Sequence, residues 1–117
     1  MGYDLFDCVL PTRNARNGTA FTSDGRLSIK QAVYVRDPRP LEEGCACRTC
    51  QRLSRAYLRH LYISGEILAA RALTEHNLYF YARLMAGMQA AIASRTYREF
   101  AAAALARLGA GQSAQPE

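Results

Sequence analysis

The sequence predicts an α/β fold, with a strand and a β-hairpin in the N-terminal part and helices in the C-terminal part. Three observations predict this class: a short apolar run at residues 4–10, two β-prone runs around Asp24 and Gly25, and an apolar period of the helical kind from about residue 48. The chain has 117 residues, half of them hydrophobic, which suffices for one small domain with a modest core.

The first predicted element is a buried strand at residues 4–10, DLFDCVL, which Pro11 ends. Asp7 lies inside this apolar run. A carboxylate in such surroundings pairs with a cation, lies at the rim of a site or takes part in chemistry. The residues alone leave open whether Asp7 has a function or forms an ion pair with a neighbouring arginine. Residues 11–18, PTRNARNG, are rich in turn-forming residues and predict an exposed loop.

The second predicted element is a β-hairpin within residues 19–36. Its two β-prone runs flank Asp24-Gly25, a dipeptide typical of tight hairpin turns. Residues 36–44 contain two prolines and predict an irregular connector.

The remaining elements are helices. The apolar period predicts one helix near residues 48–63, a second near 65–93 that is either continuous or broken, and a third near 96–108. Phe80 and the tyrosines beside it fit helical core packing better than base stacking. The tail at residues 109–117 predicts disorder.

The net charge of +5 comes almost entirely from arginine, since fourteen of the fifteen basic residues are Arg. Planar guanidinium groups suit phosphate recognition, although GC-rich coding would also favour Arg. No basic stretch precedes a long apolar run, and no run approaches the roughly 20 apolar residues that span a bilayer. We therefore expect a soluble, cytoplasmic protein without a membrane partner.

Three cysteines fall within six residues, in the spacing C-x-C-x2-C, and His76 follows one helix length later. Thiolates and one imidazole make a closed tetrahedral shell for a structural zinc ion. A disulfide across such a short turn has unfavourable geometry. The predicted ligands are Cys45, Cys47, Cys50 and His76. His60 competes for the fourth position, and the alternatives to zinc are three reduced surface thiols beside an ordinary helical histidine or a thiol redox switch.

Four arginines recur at steps of four, three and four residues: Arg48, Arg52, Arg55 and Arg59. On one continuous helix they would share a face. That face could follow a nucleic-acid backbone or be an ordinary solvated surface, and the spacing does not decide between the two.

Several of these stretches together carry a family resemblance. DLFDCVLPTRNARNG, the hairpin, C-x-C-x2-C, SRAYLRHL, GEILAARALTEHN and YARLMAGM occur in the order and spacing of the C-terminal third of bacterial tRNA-guanine transglycosylases, also called queuine tRNA-ribosyltransferases. The chain resembles this family from its first residues to about residue 100. The resemblance supports Cys45, Cys47, Cys50 and His76 as the ligands of a zinc ion.

The resemblance implies an enzyme that exchanges the wobble guanine of certain tRNAs for a 7-deazaguanine. The implied fold is a (β/α)8 barrel with a zinc-binding subdomain near its C-terminal end, and catalytic residues of such barrels follow the strands. Asp7 matches the family's nucleophile. Arg13 and Arg16 match a loop that contacts the anticodon region of tRNA. The zinc subdomain and the helices after it are implied to form the homodimer interface and part of the tRNA-binding surface.

We expect the chain to divide into five parts on this basis. They are the last-strand region of the barrel at 1–18, the hairpin at 19–36, the zinc-binding subdomain at 37–76, the C-terminal helices at 77–108 and the tail at 109–117.

Most of the family's barrel and its second catalytic aspartate have no counterpart in these 117 residues. We therefore expect a C-terminal fragment that is inactive alone: a truncated reading frame, a recombinant piece or part of a split protein. The alternative is a non-catalytic, zinc-dependent module that binds tRNA or a protein partner.

Overall fold

The computed structural model describes residues 2, 3 and 5–114, with the side chains of the last four left aside. Within this part, five α-helices surround one two-stranded sheet, and a single 3₁₀ turn follows the sheet. The elements are α1 (Leu10–Arg16), β1 (Thr19–Thr22), β2 (Gly25–Ser28), the 3₁₀ turn (Ala32–Tyr34), α2 (Arg48–Arg52), α3 (Arg55–Ile63), α4 (Ile67–Ala93) and α5 (Tyr97–Ala114).

The hairpin is confirmed, but it is shorter than predicted. β1 and β2 pair antiparallel in a register that sets Thr19 opposite Ser28, and Gly25 closes the turn at φ 116°. The Ile29 N–H still donates to Gly18 O at 2.9 Å. Beyond this point β1 offers no further residue to pair with, so the chain leaves the sheet and Tyr34 turns into the core from the 3₁₀ turn.

The strand predicted at residues 4–10 is wrong for the residues described. Residues 5–9 have no regular structure, and the Leu5 side chain is 92% exposed. A strand needs a hydrogen-bonded neighbour, and the sheet within the described ranges consists of β1 and β2 alone. Asp4 lies outside the described residues. No (β/α)8 barrel is present in the described part of the chain.

The loop predicted at residues 11–18 is also wrong, because most of it forms α1. Pro11 stands in the first turn of this helix, where its missing N–H costs nothing and its fixed φ favours helix formation. Ala15 is fully buried, and α1 packs against α4 and β1. The segment therefore carries its arginines on a docked helix.

The first predicted long helix is two helices. Leu53 adopts an extended conformation after α2, and the Ser54 side chain then accepts a hydrogen bond from Tyr57 N–H at 3.1 Å as the N-cap of α3. α4 is continuous, which decides between the two alternatives for residues 65–93.

The tail prediction is wrong for residues 109–114, because α5 continues to Ala114. Its alanine-rich sequence has high helix propensity. Residues 115–117 lie outside the described part of the chain.

The core lies between the hairpin and the N-terminal half of α4. Phe80 is buried there, as predicted, and it stacks on Phe21, while Tyr81 meets both rings edge-on. Tyr79 is exposed, so the predicted core packing is wrong for this tyrosine. No helix among the described residues is both long and apolar enough to cross a membrane. The buried residues that form one cluster are Ala15, Ala20, Leu27, Ile29, Tyr34, Leu41, Leu58, Ala72 and Leu73.

Candidate metal centre

Three cysteines reach the metal centre from one turn and the start of α2. Gly44, at φ 79°, makes the bend before Cys45. Cys47 is the N-cap of α2, and its Sγ accepts a hydrogen bond from Cys50 N–H at 3.3 Å. This short helical turn directs the three sulfurs toward α4, which supplies His76.

The four side chains converge with the dimensions of a tetrahedral zinc site. His76 Nδ1 lies 3.7, 3.5 and 3.3 Å from the sulfurs of Cys45, Cys47 and Cys50, and all four ligand atoms lie within 4.8 Å of one another. Zn–S bonds of about 2.3 Å and Zn–N bonds of about 2.0 Å give an S···N separation of about 3.5 Å in a tetrahedron. The donor set fits one structural zinc ion, and the predicted four ligands are confirmed as a single group. His60 is exposed on α3 and is not part of it.

A hydrogen bond fixes the histidine tautomer. His76 Nε2–H donates to Phe21 O at 2.8 Å, and the side chain is fully buried. The proton therefore resides on Nε2, and the lone pair of Nδ1 faces the three sulfurs. Such a bond to the outer nitrogen orients a metal-binding imidazole and raises its basicity.

Burial favours the neutral form of three of the ligands. It raises the pKa of the Cys47 and Cys50 thiols and lowers the pKa of the His76 imidazole. Neutral imidazole is the form that binds metal. The thiols of Cys47 and Cys50 need a bound cation to become thiolates in these surroundings, so metal binding here is coupled to proton release.

Two further polar residues hold the centre in place. Thr49 Oγ1 donates to Ala72 O at 2.8 Å and ties α2 to α4. Glu42 lies shortly before Cys45 in the sequence, and its carboxylate accepts hydrogen bonds from Ser23 N–H and from Arg83, both at 2.9 Å. The segment at residues 42–50, called the metal loop below, is thus joined to the hairpin turn and to α4.

The four arginines do not share one helix face, because the chain breaks at Leu53 and Ser54. Arg55 donates to Pro40 O, Leu41 O and Asp37, and Arg59 donates to Gln31 O. Both are therefore structural.

The other two arginines, Arg48 and Arg52, line a groove of about 770 Å³ between α2 and α4. Three further charged residues also line this groove: Arg16, Arg71 and Glu75.

The predicted nucleophile and RNA-contact residues lie in the N-terminal part of the sequence, before the metal ligands. Asp7 is exposed in the irregular segment before α1, while Arg13 and Arg16 are exposed on α1. The geometry leaves their roles as predictions.

Sequence reasoning missed Asn77. It directly follows His76 and is fully buried, and its amide contacts three backbone groups from α1 and β1. A polar residue on the buried side of an apolar helix was the available signal.

Comparison with known proteins gives consistent matches. The family model described as queuine tRNA-ribosyltransferase matches residues 1–110. The chain is 60% identical over 111 residues to the queuine tRNA-ribosyltransferase of Sorangium cellulosum, covering 94% of this chain and 28% of that protein. It is 58% identical over 101 residues to that of Novosphingobium aromaticivorans, covering 86% of this chain and 27% of the relative. The chain thus spans about a quarter of the length of these curated relatives.

Proposed function

The chain belongs to the queuine tRNA-ribosyltransferase family, and we propose that it is the zinc-bearing C-terminal part of a tRNA-guanine transglycosylase. The match over residues 1–110, which includes the whole metal centre, carries this proposal. The reaction is the exchange of the wobble guanine in tRNA for a 7-deazaguanine. The intact enzyme is a cytoplasmic homodimer built on a (β/α)8 barrel.

Asp7 is the nucleophile in this proposal. Its carboxylate attacks C1′ of the ribose; the bond from C1′ to guanine breaks and a covalent ester forms between the ribose and the enzyme. The incoming deazaguanine attacks C1′, breaks the ester and frees Asp7. Two displacements retain the configuration at C1′, as in retaining glycosidases. The exposed position of Asp7 before α1 is compatible with access to RNA.

Arg13 and Arg16 contact the anticodon region of the tRNA. Both are exposed on α1, a few residues after Asp7. The target guanine must leave its stack to reach a nucleophile, so cations beside Asp7 would hold the flanking phosphates.

The zinc ion has a structural role. A shell of four protein ligands leaves no open position for water or substrate. Cys45, Cys47 and Cys50 with His76 hold the metal loop against α4, and the 117 residues alone do not turn over.

A chimera tests the nucleophile. The matching C-terminal part of the Sorangium cellulosum relative is replaced by this chain, and guanine exchange into tRNA is measured. We expect exchange by the chimera and its loss in Asp7→Asn, because an amide is a poor nucleophile. Asp24→Asn removes an exposed carboxylate from the hairpin turn and is the matched control. Undiminished exchange and covalent adduct in Asp7→Asn would remove Asp7 from this role.

A zinc-dependent RNA-binding module without catalysis is the second candidate. The basic groove favours it, since Arg16, Arg48, Arg52 and Arg71 have no ion pair among the described residues. Here the zinc-loaded chain alone would bind an anticodon stem-loop without forming an adduct. Arg16→Ala should weaken binding and reduce the slope of log K against log salt by about 0.7–0.9, whereas Arg98→Ala on α5 should leave the slope unchanged.

A further inference from the structure

We propose that Asn77 is a positioning residue that holds α1, and with it the segment of Asp7 and the arginines of α1, in register with the metal centre. The inference rests on the proposed function for its catalytic consequence. Its structural part stands on the hydrogen bonds of one buried amide.

The Asn77 amide uses both of its donors and its acceptor on backbone groups. Nδ2 donates to Pro11 O and to Thr19 O, each at 3.0 Å, and Oδ1 accepts from Phe21 N–H at 2.9 Å. Reversing the amide would face its oxygen toward two carbonyl oxygens. The orientation of the side chain is therefore unique, and it joins α4 to the first turn of α1 and to β1.

Phe21, the β1 residue that donates to Asn77, is also hydrogen-bonded to the metal ligand His76. His76 Nε2–H donates to Phe21 O at 2.8 Å, and the next residue of α4 accepts from Phe21 N–H. Phe21 is thus fixed on both sides of its backbone by consecutive residues. Any displacement of His76 at the metal moves the strand and the amide that holds Pro11.

The buried amide of Asn77 fixes the positions of the groups around it and adds no hydrophobic stabilisation. Asn77 is fully buried, and an apolar side chain of similar size would fill its volume without the cost of removing an amide from water. An amide with all its partners aligned specifies one arrangement of the groups around it. Since the segment of Asp7 has no regular structure of its own, its position depends on where α1 begins.

Two substitutions and one control test this role. Asn77→Asp keeps the acceptor but turns a second oxygen toward the carbonyl oxygens of Pro11 and Thr19, and Asn77→Leu removes all three bonds. The control is Thr22→Val, which removes a buried hydrogen bond to Gly25 O at 2.7 Å within the hairpin and does not involve α1.

Amide hydrogen exchange of the zinc-loaded chain gives the structural result. Both Asn77 variants should retain one zinc per chain, while amide exchange in α1, residues 10–16, accelerates about tenfold relative to exchange in α4. In Thr22→Val, α1 should exchange as in the wild type. Unchanged α1 exchange in the Asn77 variants, or equal acceleration in Thr22→Val, overturns the proposal.

A measurement on the wild-type chain decides the question if neither variant folds. The two Nδ2 protons of Asn77 should exchange as slowly as the α1 backbone amides, because all of them open together. Side-chain protons that exchange much faster would show that Asn77 does not hold α1.

The chimera gives the catalytic result. With saturating tRNA, Asn77→Asp should lower kcat about tenfold or more, since a small misplacement of a nucleophile is costly, and Thr22→Val should leave kcat unchanged. A wild-type chimera without activity would refute the proposed function, while the exchange data would still decide the role of Asn77. A chimera in which Asn77→Asp retains full kcat would refute its part in catalysis.

Discussion

Cys47 serves the metal centre twice, as a ligand and as the N-cap of α2. Its sulfur lies 3.5 Å from His76 Nδ1 and accepts a hydrogen bond from Cys50 N–H at 3.3 Å. A single atom therefore sets both the coordination shell and the start of the helix that carries the next ligand. This makes Cys47 the ligand whose replacement should affect the fold most directly.

Cys47→Ser should lower the zinc content and destabilise the fold by more than about 4 kcal/mol, in the range typical of a lost structural metal. Elemental analysis and urea unfolding measure the two effects. Cys8→Ser is the matched control, because Cys8 is exposed and lies outside the metal group. Full zinc content with unchanged unfolding would show that Cys47 is not a ligand.

Asp37 forms ion pairs with two arginines. Its carboxylate accepts hydrogen bonds from Arg39 at 2.8 and 3.0 Å and from Arg55 at 3.3 Å. These contacts hold the pKa of Asp37 well below its usual range. Because the folded-state pKa is depressed, the stabilisation is present above the unfolded pKa near 4 and is lost as the pH falls toward the folded value.

Asp37→Asn should therefore destabilise the chain by about 1 kcal/mol at neutral pH, a modest value because the side chain of Arg39 is 59% exposed and water screens the pair. The difference from wild type should stay constant between about pH 5 and 8. Urea unfolding across this range measures it. Asp24→Asn breaks an exposed pair with Arg107 and should cost little; a difference that shrinks above pH 5 would contradict a depressed pKa.

At the scale of elements, sequence signals within a few residues predicted structure correctly, whereas contacts between distant positions could not be predicted. Cys45, Cys47 and Cys50 could be identified because their spacing is local. Asp24-Gly25 likewise marked the hairpin. The strand at residues 4–10 failed because its apolar pattern says nothing about whether a neighbouring strand exists. Asn77 could not be assigned from sequence, since its partners lie 56 to 66 positions away.

The break between α2 and α3 had a local signal that periodicity concealed. Arginines continue at helical spacing through Leu53, so the apolar and charged pattern alone predicts one helix. Ser54, a favoured N-cap residue, marks the new start. The break turns Arg55 and Arg59 inward, toward backbone carbonyls.

Ser54→Ala should cost about 1 kcal/mol through loss of this cap. Thermal unfolding of the zinc-loaded chain would detect it. Ser64→Ala, at the other end of α3, removes an exposed hydroxyl that caps no helix start and should be near neutral. Equal melting of the two variants would mean that the Ser54 hydroxyl does not stabilise α3.

At the scale of the whole molecule, the chain is elongated. Its radius of gyration is 14.9 Å, and its longest dimension is 46 Å against 27 and 24 Å for the others. A compact domain of this length would have a radius of gyration of about 13 Å. An elongated shape buries less apolar surface, so we expect the metal centre to contribute a large share of the stability.

Chelation of the zinc should therefore remove much of the helicity, and it should also release the hairpin, because His76 holds Phe21 O. Circular dichroism and hairpin amide exchange, before and after chelation, measure these effects. Readdition of zinc should restore both signals. Retained helicity and hairpin protection in a metal-free chain would contradict a stabilising role for the metal.

The position of the ligands along the chain also determines when the site can close during synthesis. Cys50 precedes His76 by 26 residues. At about 5–20 residues per second, the ribosome releases the three thiols roughly 1 to 5 seconds before the imidazole. During that interval a metal ion held by the nascent chain has an open coordination position, accessible to competing thiols. Loading completes only when α4 has emerged and folded, so correct metal insertion depends on the formation of the longest helix.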